Sequence, residues 1–502
     1  MSTLYRDGRV YGGGSALLVD GPIIRWVGDS AAAPAAGQTV ELAGAAVTPA
    51  FVDAHVHCTA TGLALTGLDL HGTRSLAEAL DRVEAAARAG RGRTILGSGW
   101  DETTWPERRT PTRHELDRAG YGGAVYLARV DGHSTACSSA LLATAPRAAE
   151  EAGWEDSGVV RLDAHHAVRR AAYAAITPAQ RGDAQRATRA RAASLGIGCL
   201  QEMSGPEVAG RHDLEALLAL AATEPGPTVA AYWGQLHSCD VVADLGPAGA
   251  GGDLFCDGSL GSHTASLGEP YADAAPRGVL RHRPEEVREH VRAATVAGVQ
   301  AGFHVIGDVA IDQAVTAVAA VAVELGVDAV RACRHRLEHA EMPRPEHLGA
   351  MAALGMVASV QPAFDAAWGG PDRMYAARLG PERARGLNPF GAFAAAGVPL
   401  ALGSDAPVTA LDPWGGVVAA VRHRTEGAGI GPEQAFRAAT EGGWYAARCP
   451  SAGRLEPGAG ATFAVWDGGG DVLERAMAGD SPRCRTTVVN GQPVYDAEGA
   501  QP

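Results

Sequence analysis

Ala46–Cys58 reads AVTPAFVDAHVHC, and on this stretch the fold turns. A Pro-bounded apolar run enters a strand that ends in Asp53-Ala-His55-Val-His57. Alternate side chains of a strand share a face, so His55 and His57 project together with Asp53 behind them. Two imidazoles on one face at the end of a buried strand can ligate a metal ion, with Zn-type distances of ~2.0–2.1 Å. Taken alone, an H-x-H pair carries little weight. The apolar run before it and the strand ends that follow later in the chain give it meaning.

From residue 47 onward, apolar strands alternate with Ala/Arg/Glu-rich helical stretches, the pattern of a parallel sheet with helices outside it. Eight strand candidates follow one another: 47–57, 196–203, 227–235, 252–259, 300–308, 333–341, 355–362 and 398–407. Eight is the number that a closed TIM-type (β/α)8 barrel needs. Residues 61–190 hold further strands, RTILGSGW (93–100) and GAVYLARVDGH (123–133), and a helical run. Counting them in the barrel would exceed eight, so this block reads as a subdomain inserted after the first strand. Residues 1–48 carry short β elements, and 448–502 mirror them with ATFAVWDG and CRTTVVNGQPVYD. There Asn490-Gly491 is a two-residue hairpin signal. Both ends together predict a small sheet domain around an α/β barrel of residues 49–447. A short helix is expected within 468–482.

The 502 residues are 46% hydrophobic and 20% charged, ordinary for a globular chain with a large core. A net charge of −14 argues against non-specific binding of nucleic acid or of an anionic membrane surface. The N-terminus lacks an apolar leader core, and no stretch reaches ~18 uninterrupted apolar residues. A cytoplasmic location is therefore expected. Eight cysteines without a C-x-x-C suggest neither a disulfide framework nor a zinc ribbon. All 43 basic residues are arginine, so no lysine base, Schiff base or carbamate can form.

In a barrel, chemistry sits at the C-terminal ends of the strands. Those ends offer His55 and His57, Glu202, Asp253 with Asp257, His304, Glu338 with His339, Gln361, and Asp405. Imidazole and carboxylate ligands suit a divalent metal, Zn first, then Fe or Mn. A bound ion lowers the pKa of its water to about 7, a nearby aspartate moves the proton, and a further histidine polarises the scissile carbonyl. The set His55, His57, His304, His339 and Asp405 supplies these parts.

At this point the residues carry a resemblance. The chain resembles the amidohydrolase superfamily, within it amidohydrolase family 3, through FVDAHVH, LFCDGSLGSHTASLGEPY, FHVIGDVAID, HRLEHAEM, SVQP, LGSDAPVTALDP and GRLEPGAGATFAVWD. The resemblance implies a barrel flanked by a β-sandwich built from both termini, here 1–48 and 448–502, with an insertion after the first strand. It implies His55, His57 and His304 as metal ligands, His339 as catalytic and substrate-contacting, and Asp405 as ligand and proton shuttle. Relatives often carry a carbamylated lysine on the fourth strand, bridging two metals; Asp253 stands there in this chain. One ion held by His55, His57, His304 and Asp405 is therefore the first expectation, and two ions bridged by Asp253 the second. His263 and Val309 also depart, at positions where relatives commonly have arginine.

Other candidates have plainer readings beside them. Asp257 either contacts substrate or, with Ser259, shapes a turn around Gly258. Gln361 could hydrogen-bond substrate from a pocket wall. Glu202 could reach the metal but is rather expected to pair with an arginine, and His165, His166 and His423 to lie on the surface. Trp100–Trp105 and Arg129–His133 could line or lid the pocket, or serve structure alone. The implied activity is hydrolysis of a C–N bond in an amide, formamide or cyclic amide of a small molecule by a metal-activated hydroxide. Two alternatives stay open: a metal-dependent isomerase or decarboxylase, and a barrel that binds without catalysing. Barrels of this sort often pair, so a homodimer is one expectation.

Overall fold

Pro49 and Ala50 divide the quoted stretch between two sheets. Ala46–Pro49 pairs antiparallel with Phe463–Trp466, in the register Pro49↔Phe463 and Ala46↔Trp466. Phe51–Val56, buried at every residue, is the first strand of a separate parallel sheet. The computed structural model describes residues 2–498 except 91, 93 and 450. The ends of the expected terminal domain and the first residue of the candidate 93–100 lie outside the described residues.

The parallel sheet has eight strands: β1 Phe51–Val56, β2 Ile197–Ser204, β3 Thr228–Trp233, β4 Gly249–Ala250, β5 Gln300–Val305, β6 Arg336–His339, β7 Val357–Val360 and β8 Leu400–Leu402. Each neighbours the next in sequence order. Just beyond β8 the chain returns to β1: Asp405 N donates to His55 O at 2.7 Å and His57 N to Ala406 O at 3.0 Å. These bonds nearly close the barrel in a mixed α/β fold. They also bring Asp405 beside the two histidines. The strands are apolar because helices cover them outside and side chains fill the interior, so both faces are dry.

The fourth strand corrects the candidate at 252–259. The ladder covers Gly249–Ala250 alone, because Gly251 and Gly252 take positive φ of 154° and 82°. The chain then rejoins β5 irregularly: His304 N donates to Leu254 O, and Cys256 N to His304 O, both at 3.0 Å. Gly251 is required for this. A Cβ there would lie 2.1 Å from the backbone N of Gly302. Gly251→Ala is expected to destabilise the fold by about 3 kcal/mol, read as a lower denaturant midpoint.

Two further sheets come from the ends of the chain. One has the order Ile23–Gly28, Ala16–Asp20, Ser2–Arg6, Gln38–Glu41. The other runs Arg9–Val10, Ala46–Pro49, Phe463–Trp466, Cys484–Val489, Gln492–Asp496. They share one apolar cluster that includes Tyr5, Leu17, Ile24, Val47, Phe463 and Val488. Asn490 and Gly491 turn the last hairpin at φ 50° and 78°, as a type I′ turn demands. Residues 68–161 form a five-stranded sheet around Leu70, Trp100, Trp105, Leu116 and Leu127. The short helix expected in 468–482 is Val472–Met477.

Candidate metal centre

The strand ends converge on Asp253. Its Oδ1 lies 3.5 Å from His55 Nε2, 3.3 Å from His304 Nδ1 and 3.8 Å from His339 Nε2. Its Oδ2 lies 3.2 Å from His57 Nε2. Asp405 Oδ1 completes the group, 3.1 Å from His57 Nε2 and 3.5 Å from His55 Nε2. Three triads have ligand atoms close enough together to hold an ion: His55–His57–Asp253, Asp253–His304–His339 and His55–His339–Asp405. His339 and Asp405 both sit in the left-handed region, at φ 69° and 54°. Non-glycine residues adopt it rarely, and such strain gathers at functional sites.

Contacts behind the histidines decide which nitrogen faces the cavity. His57 Nδ1 donates to the carbonyl of Met203 at 2.9 Å. A carbonyl only accepts, so Nδ1 carries a proton, and Nε2 is the nitrogen that faces the cavity. His339 Nδ1 meets Gln361 Oε1 at 2.8 Å, and His55 Nδ1 meets Glu338 Oε2 at 3.0 Å. Glu338 in turn takes Arg336, whose guanidinium is fully buried. Arg336 also donates to Gln201 Oε1 at 2.6 Å and Ala54 O at 2.8 Å, and stacks over the Tyr232 ring. Arg336 and Glu338 share the inward face of β6, two residues apart.

The residues fit a divalent cation. His55 Nε2, His339 Nε2 and Asp405 Oδ1 are buried yet make no hydrogen bond among the described residues. Such orphans are costly unless something satisfies them. The electrostatics agree. Burial alone would push His55 down, but Asp253 and Asp405, with Glu338, raise it well above its ordinary value. His57 is held up to about 10 by the same two aspartates against the same burial. A potential that keeps protons on two buried imidazoles also attracts a metal cation. Glu338, although buried, is lowered to about 2 by Arg336 and His55, so it remains an anion behind the ligand.

The cluster opens into a narrow cleft with a cavity volume of about 80 Å³. The 61–190 block supplies much of its wall: His133 stands 5.0 Å ring to ring from His304, and His166 packs 5.2 Å from the Phe255 ring. Three expectations are corrected here. His165 and His166 are buried, at 1% and 5% exposure. The His423 side chain is buried against Asp365, Nε2 to Oδ1 3.5 Å. Glu202 pairs with no arginine among the described residues; its Oε2 accepts the Cys58 N–H at 2.7 Å, the first amide of the helix Cys58–Thr66. Helix amides attract an anion at that end. For the histidines the missed signal was spacing. His166, Arg169 and Tyr173 stand at i, i+3 and i+7 of the helix Leu162–Ala174 and so share a face.

Asp257 and Gln361 stand beside the cluster. Both oxygens of Asp257 accept backbone amides, from Ile306 at 3.0 Å and from Ser266 and Gly307 at 2.8 Å. This ties the loop after β4 to the end of β5. Gln361 orients His339, and its own Nε2 is buried with no hydrogen-bond partner among the described residues. Trp100 and Trp105 are buried in the core of the five-stranded sheet of residues 68–161. Asp131 accepts from Ser259 Oγ at 2.9 Å and Ser262 Oγ at 2.8 Å, fastening that block to the loop after β4.

Glu341, two residues beyond His339, is the buried acid that sequence reasoning overlooked. Burial raises it to about 7 from an ordinary 4.5. Between those values the folded protein keeps a proton that the unfolded chain has lost. Stability therefore falls as pH rises across that window and stays reduced above it. In chelator-treated protein, Glu341→Gln should be more stable than the parent at pH 8, by up to about 3 kcal/mol, and gain nothing near pH 4.5. Thermal melts at the two pH values check this.

Comparison with known proteins matches residues 38–495 to the model of a family described as the amidohydrolase family. The protein YtcJ of Bacillus subtilis (strain 168) is 26% identical, with 91% of this chain and 90% of that protein covered. A crystal structure of an uncharacterized metal-dependent hydrolase from Pyrococcus furiosus is 27% identical at a TM-score of 0.73, covering 93% of this chain and 98% of that one. Another, from Pyrococcus horikoshii, shares the fold at a TM-score of 0.78 and 24% identity, covering 98% of this chain and all of the other.

Proposed function

The chain belongs to the amidohydrolase family, and from that premise we propose that it hydrolyses a C–N bond of a small-molecule amide, formamide or cyclic amide at a metal centre facing the cleft. The observation that carries the reading is the sharing of Asp253 between two ligand triads, built of buried histidines and the half-buried His57, with contacts from behind that orient their rings. His55, His57 and Asp405 would hold one cation and His304 with His339 another, with Asp253 between them. The one-ion set of the sequence reading mixes His304 with the first pair, whereas the grouping supports two ions. A divalent cation in this site acidifies water and polarises a carbonyl, which hydrolysis of an unactivated C–N bond requires. Zinc suits nitrogen-rich ligand sets of this kind.

The chain's own residues do the rest. Glu338, Met203 O and Gln361 fix the imidazoles so that Nε2 faces inward, and Gly258 O lies 3.4 Å from His304 Nε2, leaving Nδ1 toward Asp253. Asp405, on the wall of the cleft, takes the proton of the attacking water and returns it to the leaving nitrogen. His339 Nε2 would serve as a ligand in this two-ion arrangement; with a single ion held by the other residues, the same nitrogen is free to contact the scissile carbonyl. We further read the two terminal sheets as one β-sandwich domain of 1–48 and 448–502, and 61–190 as an insertion that shapes the cleft. Among the described residues no helix is long and apolar enough to cross a membrane. The eight free thiols are consistent with a cytoplasmic location.

The test is a screen of amides, formamides, lactams and carbamates with purified protein of measured metal content, run in 18O-labelled water. Incorporation of the label into the acyl product with two bound equivalents of metal is expected. Full activity in verified metal-free protein, or turnover without label, would overturn the reading.

A further inference from the structure

Arg169 is a cation of the cleft wall that lacks an acid. The carboxylates sharing that wall are engaged elsewhere: Asp131 with Arg129 at 3.0 Å, Asp213 with Arg181 at 2.9 Å, Glu202 with the Cys58 amide, and Asp253 and Asp405 with the histidine cluster. Among the described residues no carboxylate lies within ion-pair distance of Arg169. Its Nη2 is held by the Glu207 carbonyl at 2.6 Å and by His166 Nδ1 at 3.1 Å. Neither contact neutralises its charge. Its Nε is buried without a partner, and Nη1 makes no hydrogen bond among the described residues. An anchored guanidinium with unused donors is an arrangement that receives an anion.

Its place in the cleft says what that anion belongs to. A row of rings leads from the metal cluster to it: His304 to Phe255 at 4.8 Å, then Phe255 to His166 at 5.2 Å, with Arg169 bonded to His166. One end of the cleft therefore holds the metal ligands and the other a free cation, with an aromatic floor between. We propose that Arg169 binds a carboxylate carried by the substrate, so that the enzyme acts on N-acyl amino acids and related carboxylate-bearing amides. A phosphate dianion fits less well, because it calls for more than one cation and the nearby wall charges are the acids Asp131 and Asp213. A planar monoanion matches one guanidinium. The inference rests on the reading of the histidine–aspartate cluster as the hydrolytic centre.

The experiment uses N-benzoylglycine, N-benzoyl-β-alanine and N-benzoyl-4-aminobutyrate, each beside an uncharged N-alkylbenzamide of matching length. Binding by calorimetry and hydrolysis are measured for the parent, R169Q and R169K at equal metal content. The parent is expected to bind at least one acid about tenfold more tightly than its uncharged counterpart. R169Q should bring that ratio close to one, and R169K should recover part of it. No preference for acid in the parent, or a preference unchanged in R169Q, overturns the inference. An Arg169-dependent binding preference without hydrolysis in metal-replete protein counts against the hydrolytic reading and leaves the anion site standing. Hydrolysis without charge preference does the reverse.

Discussion

Asp253→Ala is expected to lower turnover by roughly a thousandfold or more and to reduce bound metal by at least one equivalent. The carboxylate touches all four histidines of the cluster, through Oδ1 to His55, His304 and His339 and through Oδ2 to His57. His55 and Asp405 also come within reach of His339, but Asp253 is the carboxylate lying against all four histidines, so its removal takes a ligand from both groups. Asp253→Asn, which keeps the volume and loses the charge, should retain the fold and still lose metal. Elemental analysis beside kcat measurement reads the outcome. Two equivalents of metal retained in the alanine variant would exclude the bridging role.

Glu338→Ala should be the most destabilising single change at the centre, by about 3–5 kcal/mol. It strips the fully buried Arg336 of its carboxylate and leaves an uncompensated charge inside the barrel. It also removes the acceptor of His55 Nδ1, freeing that ring to rotate. The double variant Arg336→Met/Glu338→Leu, apolar at both positions, should recover much of the stability and none of the activity. Urea midpoints compared with turnover separate the two roles. A Glu338→Ala midpoint equal to that of the parent would show that water reaches Arg336.

The sequence made the barrel legible because its strands are covered on both faces, so apolar runs stand out against the arginine- and glutamate-rich helices between them. It placed His55, His57, Asp253, His304, His339 and Asp405 at strand ends, and the structure brings all six together. The fourth strand was misplaced by a few residues, since Gly251-Gly252 breaks the ladder where the apolar pattern continues. Contacts between distant segments were out of reach. The Glu202 carboxylate finds a helix amide rather than a guanidinium, a choice that tertiary placement alone makes. His165, His166 and His423 look polar in a linear reading; burial was decided by the 61–190 block packing against the barrel's strand ends and, for the His423 side chain, by Asp365. Arg336 and Glu338 were legible in principle, two residues apart in RLEH, yet nothing local says that their face is interior.

The strand that carries His55 and ends just before His57 continues, through Ala50, from one whose antiparallel partner is Phe463–Trp466, with Trp466 Nε1 bonded to Thr48 Oγ1 across 418 residues. During synthesis, then, the segment holding both histidines leaves the ribosome long before the strand that clamps its base exists. Until Phe463–Trp466 has emerged, that segment is a tethered end awaiting its lock. A stalled or C-terminally truncated chain would carry every ligand residue and still lack a rigid site.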